Sequence, residues 1–539
     1  MYINKFLTIT GLTLLLSGCG GSKYIVPSVQ YNESAYSTPV NVQESIKYTS
    51  TMYGNDTGGP NAKIAVLLPM SGNTKVVSND IKTSIESALL RRPQTNISVS
   101  FYDLSGDDDT KNATIKQALL TQPDVVIGPI FADDVKTLRK LKPSKTPVLS
   151  FTSDVSALGD GVSTVNLIPT QSIETIIRQM QDDGATSVLI LAPNDNSGHL
   201  MVSVADRAAD VYKIPVKGIF YYDSGNSESI KDTAMRASMY STRTAANTRA
   251  REVLSDILSR ENLTSKERAN LNRQLEKISR TETLGKLPYD AVLFLGNGDD
   301  TKTLASFLRY YGLGNRDAAF YGTTLWHNSN IASDFTMSGA KYATLPEISD
   351  NFKGLFEMIG GKDPDYLTAF GYDAANLALG LIFTPQSKDS YLYDPSGYTG
   401  TTGIFRIQPS GESERGLRVM ELNSTGTANV LKQSPENFLV PLYNVHGYST
   451  RKTPEKPLVT RGITPGDYIT IPEHLRWKSE YKTKTLGANY TETETDNSAE
   501  MASIQVFAPT NETISNPEYE SVKKDTVSRK NIDSVEINE

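Results

Sequence analysis

The sequence predicts an α/β protein made of two doubly wound, Rossmann-like lobes joined by crossovers, with a helical hairpin inserted in the second lobe. Three observations predict it. The stretch Ile64-Ala-Val-Leu-Leu-Pro-Met-Ser-Gly72 is an apolar run closed by Pro and Gly, as expected of a parallel strand buried on both faces. Strand-like and helix-like patterns then alternate with short connections as far as Ser153, and the alternation resumes between Thr170 and Tyr321. The second series is interrupted at Ser227–Leu287 by a segment much longer than an ordinary connection, with a helical period of its own.

In chain order, Ile97–Phe101, Val125–Ile127 and Pro147–Phe151 read as further strands of the first lobe, with helices over Asp109–Leu120 and Asp133–Leu141. Ligands in such sheets sit beyond the carboxyl ends of the strands. Those ends are Pro69–Thr74, Asp103–Asp108, Gly128–Asp133 and Ser150–Asp154. A crossover at Val162–Ile168 leads to the helix Thr170–Asp183, which carries Ile173, Ile176, Ile177 and Met180 on one face. Ser187–Ala192, Val216–Tyr222, Ala291–Gly296 and Ala318–Tyr321 are the strands of the second lobe, and Gly198–Tyr212 and Thr301–Tyr311 its helices.

Within the insertion (227–287), Val253, Leu254, Ile257 and Leu258 form one apolar stripe and Leu271, Leu275 and Ile278 another. Between them Thr264-Ser-Lys-Glu267 has the spacing of a capping box. The segment therefore reads as a helical hairpin that packs on its own lobe or serves a partner. Helices at Asp350–Ile359 and Pro364–Phe383 follow, then a closing hairpin of Gly400–Ile407 and Gly416–Leu422 around Pro409-Ser-Gly411. The first lobe is thus 62–165 plus 346–431 and the second 166–345, within a body spanning 62–448.

The ends of the chain differ from this body. Met1–Lys5 is a short positive start and Phe6–Leu16 an apolar run shorter than the about 20 residues a spanning helix needs. Leu16-Ser17-Gly18-Cys19 then matches a bacterial lipobox, and Cys19 is the single cysteine of the 539 residues. Residues 1–19 are read as a lipoprotein signal peptide and lipobox, with lipidated Cys19 as the membrane anchor. Two or three acyl chains give stable anchoring that one does not. Gly20 follows the cysteine where lipoproteins held at the inner membrane have Asp, which implies the periplasmic face of the outer membrane. Residues 20–61 are rich in Ser, Tyr, Asn, Thr and Gly and read as a flexible tether. Residues 449–539 read as a polar, mostly disordered tail, with Ile471–Tyr481 as its one candidate docking stretch.

Composition excludes several function classes. Net charge is −7, so no basic footprint for nucleic acid exists. The four histidines, His199, His327, His446 and His474, lack zinc-type spacing, and no Walker A loop occurs, so no metal or cofactor is expected. Ser-x-x-Lys spacings at Ser338, Ser449, Ser479 and Ser521 have no Lys-Thr-Gly or Lys-Ser-Gly after them. Asp107-Asp-Asp109 reads as a solvated turn or helix cap. No catalytic set is visible.

From Lys63 to Leu431 the chain resembles the type I periplasmic-binding-protein fold, in its branched-chain amino-acid receptor branch. The marks are Ile64–Gly72, Val125-Val-Ile-Gly-Pro129, Pro147-Val-Leu-Ser150, Tyr372-Asp-Ala-Ala375 and the closing Gly400–Val419 segment. The resemblance implies an interlobe site for a small amino-acid-like solute. The matching positions are Ser150, Thr152 and Ser153 as anion donors and Asp195 and Ser197 in the turn Asn194–Gly198. The chain departs from the receptors where Ser197 replaces a ligand-walling tyrosine and where Tyr321–Ser333 lacks the acid that pairs with an ammonium. A neighbouring branch, lipoproteins that activate penicillin-binding proteins, is similar in its lipobox, its helical insertion, Thr283-Leu-Gly-Lys-Leu-Pro-Tyr-Asp290, the Gly322–Trp326 loop, and Gly403-Ile-Phe-Arg406 with Glu414-Arg-Gly416. That resemblance implies a noncatalytic regulator that contacts a peptidoglycan synthase. A substrate-binding protein for transport or sensing is the alternative.

Overall fold

Burial on both faces, expected of Ile64–Leu68, is what the computed structural model shows: all five residues are at most 1% exposed. At about 1.5–3 kcal/mol for each large apolar side chain, such strands carry much of the driving force for folding. The structure describes residues 40–41, 62–90, 97–260, 262–327, 329–438, 451–458 and 468–476. The expectations for 1–19, Cys19 included, and for 477–539 lie outside these residues.

The described residues fall into two compact units. The first takes its members from Met1–Gln171, Leu345–Arg418 and Gln433–Tyr443, the second from Ser172–Thr344, Val419–Lys432 and Asn444–Glu539. In chain order the strands are β1 Ala62–Leu68, β2 Ile97–Asp103, β3 Val125–Ile127, β4 Val148–Ser150, β5 Val162–Thr164, β6 Val188–Pro193, β7 Val216–Tyr222, β8 Ala291–Phe294, β9 Ala319–Gly322, β10 Lys341–Thr344, β11 Tyr398–Gly400, β12 Gly403–Ile407, β13 Ser413–Arg415, β14 Arg418–Leu422 and β15 Ala428–Lys432. The helices are α1 Lys75–Leu90, α2 Asp108–Leu120, α3 Ala132–Leu141, α4 Pro169–Asp182, α5 Asn196–Val211, α6 Ser227–Ala237, α7 Tyr240–Leu258, α8 Ser265–Ser279, α9 Gly298–Tyr310, α10 Asp350–Gly360, α11 Tyr366–Phe383, α12 Lys388–Leu392 and α13 Glu473–Arg476.

The first unit holds a parallel sheet in the order β2-β1-β3-β4-β5. One core cluster joins Ala65 and Leu67 of β1 to Ile115 and Ala118 of α2 and to Val135 and Leu138 of α3. Gly128, after β3, has φ +90°, and a Cβ there would lie 2.2 Å from the Leu67 carbonyl oxygen. Only glycine fits that close approach.

A second sheet of this unit contains β11, β12 and β13, with Val40–Asn41 of the tether stretch paired parallel to β11. It is fixed to α11 by charge. Arg415 lies over the Phe370 ring at 3.9 Å and beside Asp373, whose carboxylate accepts from the Thr401 N–H at 2.8 Å. Burial pushes the Asp373 carboxyl up to about 6 in spite of Arg415.

The second unit is built on a sheet ordered β15-β14-β10-β9-β8-β6-β7. Helix α6 belongs to its main core, since Ile230, Ala234 and Ala237 pack with β6, β7 and β8. The inserted part proper is therefore α7 and α8. The closing hairpin differs from expectation. Gly403–Ile407 pairs with Ser413–Arg415, while Arg418–Leu422 leaves for the second unit's sheet and pairs there with β15. Both strands are short and mostly buried, and such patterns do not specify a partner.

Two stretches of the tail read as mostly disordered are built into the second unit, the second of them overlapping the candidate docking stretch Ile471–Tyr481. Residues 451–458 run beside β7, with Ile219 and Lys456 exchanging backbone hydrogen bonds at 3.0 Å in both directions. Residues 468–476 pack Ile469, Ile471 and Leu475 against α7 and α8. No described helix is long and apolar enough to cross a membrane.

Candidate functional site

The strand ends of the first unit are stitched together by their own polar groups. Asp103, ending β2, accepts from the Met70 N–H at 2.7 Å and the Ser105 N–H at 2.9 Å, and Ser105 Oγ accepts from the Ser71 N–H. Burial alone would raise this carboxyl, but these hydrogen bonds hold it below the usual carboxylate range. In the hydroxyl-rich loop, Ser150 is fully buried and its Oγ donates to the Ser163 carbonyl at 2.9 Å. Thr152 is also buried; its Oγ1 accepts from the Asp154 N–H, and its carbonyl accepts from Thr164 Oγ1 at 2.6 Å. Ser153 is exposed. Of the three residues that sequence reasoning picked for an anion, the structure thus leaves Ser153 facing solvent and turns Ser150 into the sheet.

Asp195 and Ser197 belong to the second unit, where both are exposed. Asp195 is the N-cap of α5 and accepts from the Gly198 N–H at 2.7 Å. Its carboxylate is a ready acceptor for that orphan donor. Beside it, Asn194 Oδ1 accepts from Lys452 Nζ at 2.7 Å and lies 3.2 Å from His199 Nε2. The same Lys452 lies over the Tyr221 ring at 4.6 Å, and the Tyr221 hydroxyl donates to the Thr453 carbonyl. The chain therefore supplies an ammonium of its own beside this loop. Sequence reasoning missed Lys452 and Thr453. Their polar surroundings carry no apolar period, so no signal in the sequence marked them.

The Tyr321–Trp326 loop also folds inward. Trp326 is fully buried, 6.0 Å in ring-centroid distance from both Phe294 and Tyr342. A Cβ on Gly322 would lie 2.2 Å from its indole. Tyr321 donates its hydroxyl to Asp183 at 2.7 Å, and Lys341 pairs with the same carboxylate at 2.8 Å. This loop is an element of the core. No group of three or more potential metal ligands occurs among the described residues.

The insertion forms a module with a small core of its own. Val253, Leu254 and Ile257 of α7 meet Leu271 and Ile278 of α8, and Ile469, Ile471 and Leu475 complete the cluster. The capping box forms as its spacing implies: Thr264 accepts from the Glu267 N–H, and Glu267 accepts from the Thr264 N–H. Gln274 exchanges two hydrogen bonds with the backbone of Thr470, at 2.7 and 3.2 Å. The Thr283–Asp290 motif clamps the module to its unit. The Lys286 N–H donates to the Tyr468 hydroxyl, Tyr289 donates to the Ala237 carbonyl, and Asp290 accepts from the backbone N–H groups of Thr186 and Ser187. Buried Arg243 binds the carbonyls of Gly285, Ser238 and Gly312. The outer face of α8 presents exposed Lys266, Arg273, Glu276 and Lys277.

Comparison with known proteins follows the same lines. Residues 55–209 match a family model described as "LppC putative lipoprotein". The penicillin-binding protein activator LpoA of Pasteurella multocida is 23% identical over 217 residues, 38% of this chain and 35% of the relative. The match spans about a third of that relative's length. Among solved structures, a "putative branched-chain amino acid ABC transporter" from Rhodospirillum rubrum aligns with a TM-score of 0.52 at 16% identity, over 69% of this chain and 100% of that one. The LpoA C-domain of Haemophilus influenzae, a regulator of PBP1A, aligns over 69% of this chain and 100% of its own at 17% identity, with a TM-score of 0.45. The fold is that of the type I periplasmic binding proteins, and the LppC and LpoA matches agree with the activator-like lipoprotein resemblance read from the sequence.

Proposed function

We propose that this chain is a noncatalytic, lipid-anchored protein of the bacterial envelope that regulates a penicillin-binding protein through protein contacts. Its anchor is lipidated Cys19 and its place the periplasmic face of the outer membrane. The observation that carries the reading is the sequence match to a penicillin-binding protein activator, within a chain that also begins with a lipobox. The charged outer face of α8 supports a docking role, because its cations are not needed by the core beneath it. The test is capture of a penicillin-binding protein, identified by a fluorescent β-lactam label, on the immobilised full chain. Charge reversal at Lys266, Arg273 and Lys277 should reduce capture at least about tenfold while changing stability by about 0.5 kcal/mol or less per site. Absence of any labelled protein on the unaltered chain would sink the reading.

One observation favours a second reading, a receptor for a small amino-acid-like solute in transport or sensing. It is the likeness in fold to the Rhodospirillum rubrum protein. A thermal-shift screen separates the two. Saturable stabilisation by one amino acid, growing with ligand concentration as mass action requires, would replace the first reading.

A further inference from the structure

The second unit carries a shallow groove of about 650 Å³ between α9 and the short helical turn at Phe335–Met337. Lys302, Ser306, Arg309 and Tyr310 recur at i, i+4, i+7 and i+8 and so lie on one face of α9. Two large aromatic side chains are left in solvent here, Tyr310 at 72% exposure and Phe335 at 70%. The Arg309 guanidinium lies 5.2 Å from the Phe335 ring centroid. Its one lining carboxylate, Asp334, is turned inward and accepts from the Thr336 N–H and Oγ1 at 2.9 and 2.7 Å. Lys302 shares its charge with Asp299 at 2.9 Å on the outer rim. Tyr and Arg are the residue types most enriched where binding energy concentrates, and a cation over an aromatic face strengthens as water leaves.

We propose that this groove is occupied by the chain's own segment Thr485–Val522. Three observations converge on that occupant. The segment holds seven acidic residues between Glu492 and Glu520 and no Lys, Arg or His, opposite in sign to Lys302 and Arg309. It also carries Tyr490, Phe507 and Tyr519, side chains of the size needed to cover Tyr310 and Phe335. Finally, α13 ends at Arg476 within the unit that holds the groove, and the link to Thr485 reaches roughly 30 Å when extended. Tethering supplies the affinity the shallow groove lacks. A link this short gives an effective concentration on the order of millimolar, so even a contact with a Kd of about 1 mM is roughly half occupied.

The test uses photo-crosslinking in the full chain. Tyr310 and Phe335 are replaced, one at a time, by p-benzoylphenylalanine, which keeps an aromatic ring in place. Leu120, 82% exposed in the first unit, takes the same replacement as a control. Crosslinks from both groove positions should map to Thr485–Val522 within single chains, with none to that segment from Leu120. The yield should fall at least about fivefold in 0.5 M salt, where the Debye length shrinks to a few ångströms, and equally with Lys302→Glu and Arg309→Glu combined. Crosslinks only between two copies or to another protein, or equal yields from all three positions, would overturn the proposal. So would a yield indifferent to both salt and charge reversal.

Discussion

Asp373 of α11 and Arg415 of β13 form an ion pair at 3.8 Å with side chains 2% and 0% exposed, deep inside the first unit. Arg415 is further held by Thr402 Oγ1 at 2.9 Å and lies between the Phe370 and Phe405 rings. A pair this buried stabilises little in net terms, because desolvation offsets attraction, but either charge left alone is costly. Asp373→Asn should destabilise the protein by about 3–5 kcal/mol, and the double change Asp373→Asn with Arg415→Met should recover most of that loss. Denaturant unfolding of the three proteins checks this; a double variant no more stable than the single one would contradict it.

Asp290 gives a pH prediction. Burial alone would raise its carboxyl, yet hydrogen bonds from Thr186 and Ser187 outweigh that effect and lower it. A depressed carboxyl contributes stability that is complete above the unfolded value, about 3.9, and is lost as pH falls through the folded value. Asp290→Asn should therefore lower stability at pH 7 and flatten the loss below about pH 4. Thermal melts from pH 3 to 7 measure it, and parallel acid limbs in both proteins would count against it.

Leu475 is fully buried between the inserted helices although it lies far along the chain from them. Leu475→Ala should cost about 2–5 kcal/mol, as for other large-to-small changes in a core. The loss should appear as faster amide exchange in α7 and α8. Unchanged exchange there would mean that the segment is not part of the module.

Two glycine substitutions should act in opposite directions. Gly322→Ala pushes a methyl to within 2.2 Å of the Trp326 indole and should cost about 1–3 kcal/mol or more. Gly354→Ala, in the exposed middle of α10 with nothing within 4 Å of the new Cβ, should stabilise by about 0.5–1 kcal/mol. Melting temperatures that move the same way in both would refute the packing argument.

Much of the fold could be read from the sequence because parallel strands buried on both faces are written as unbroken apolar runs. Ile64–Leu68 and Ala291–Phe294 are examples. The capping box at Thr264–Glu267 was equally readable, since both of its hydrogen bonds depend on local spacing alone. Pairing was harder to read. Val419 and Met420 have the same pattern whether they close a hairpin or join the other sheet. Of the tail contacts, Ile471 and Leu475 fall in the stretch Ile471–Tyr481 marked as a candidate docking segment, but Leu458 and Ile469 are isolated apolar residues without a period. At the strand ends, spacing located the hydroxyl loop but could not tell that Ser150 Oγ points to the Ser163 carbonyl while Ser153 meets solvent.

The chain passes between the two units after Gln171, Thr344, Arg418, Lys432 and Tyr443. Neither unit is a continuous stretch of sequence. On a ribosome the first unit lacks β11–β13, and Arg415 with them, until after the second unit's strands β6–β10 have been made. The second lacks Leu475 until still later. Contacts of such sequence separation form slowly. Neither unit can therefore be completed by the stretch that starts it, and each waits for strands or helices added far along the chain.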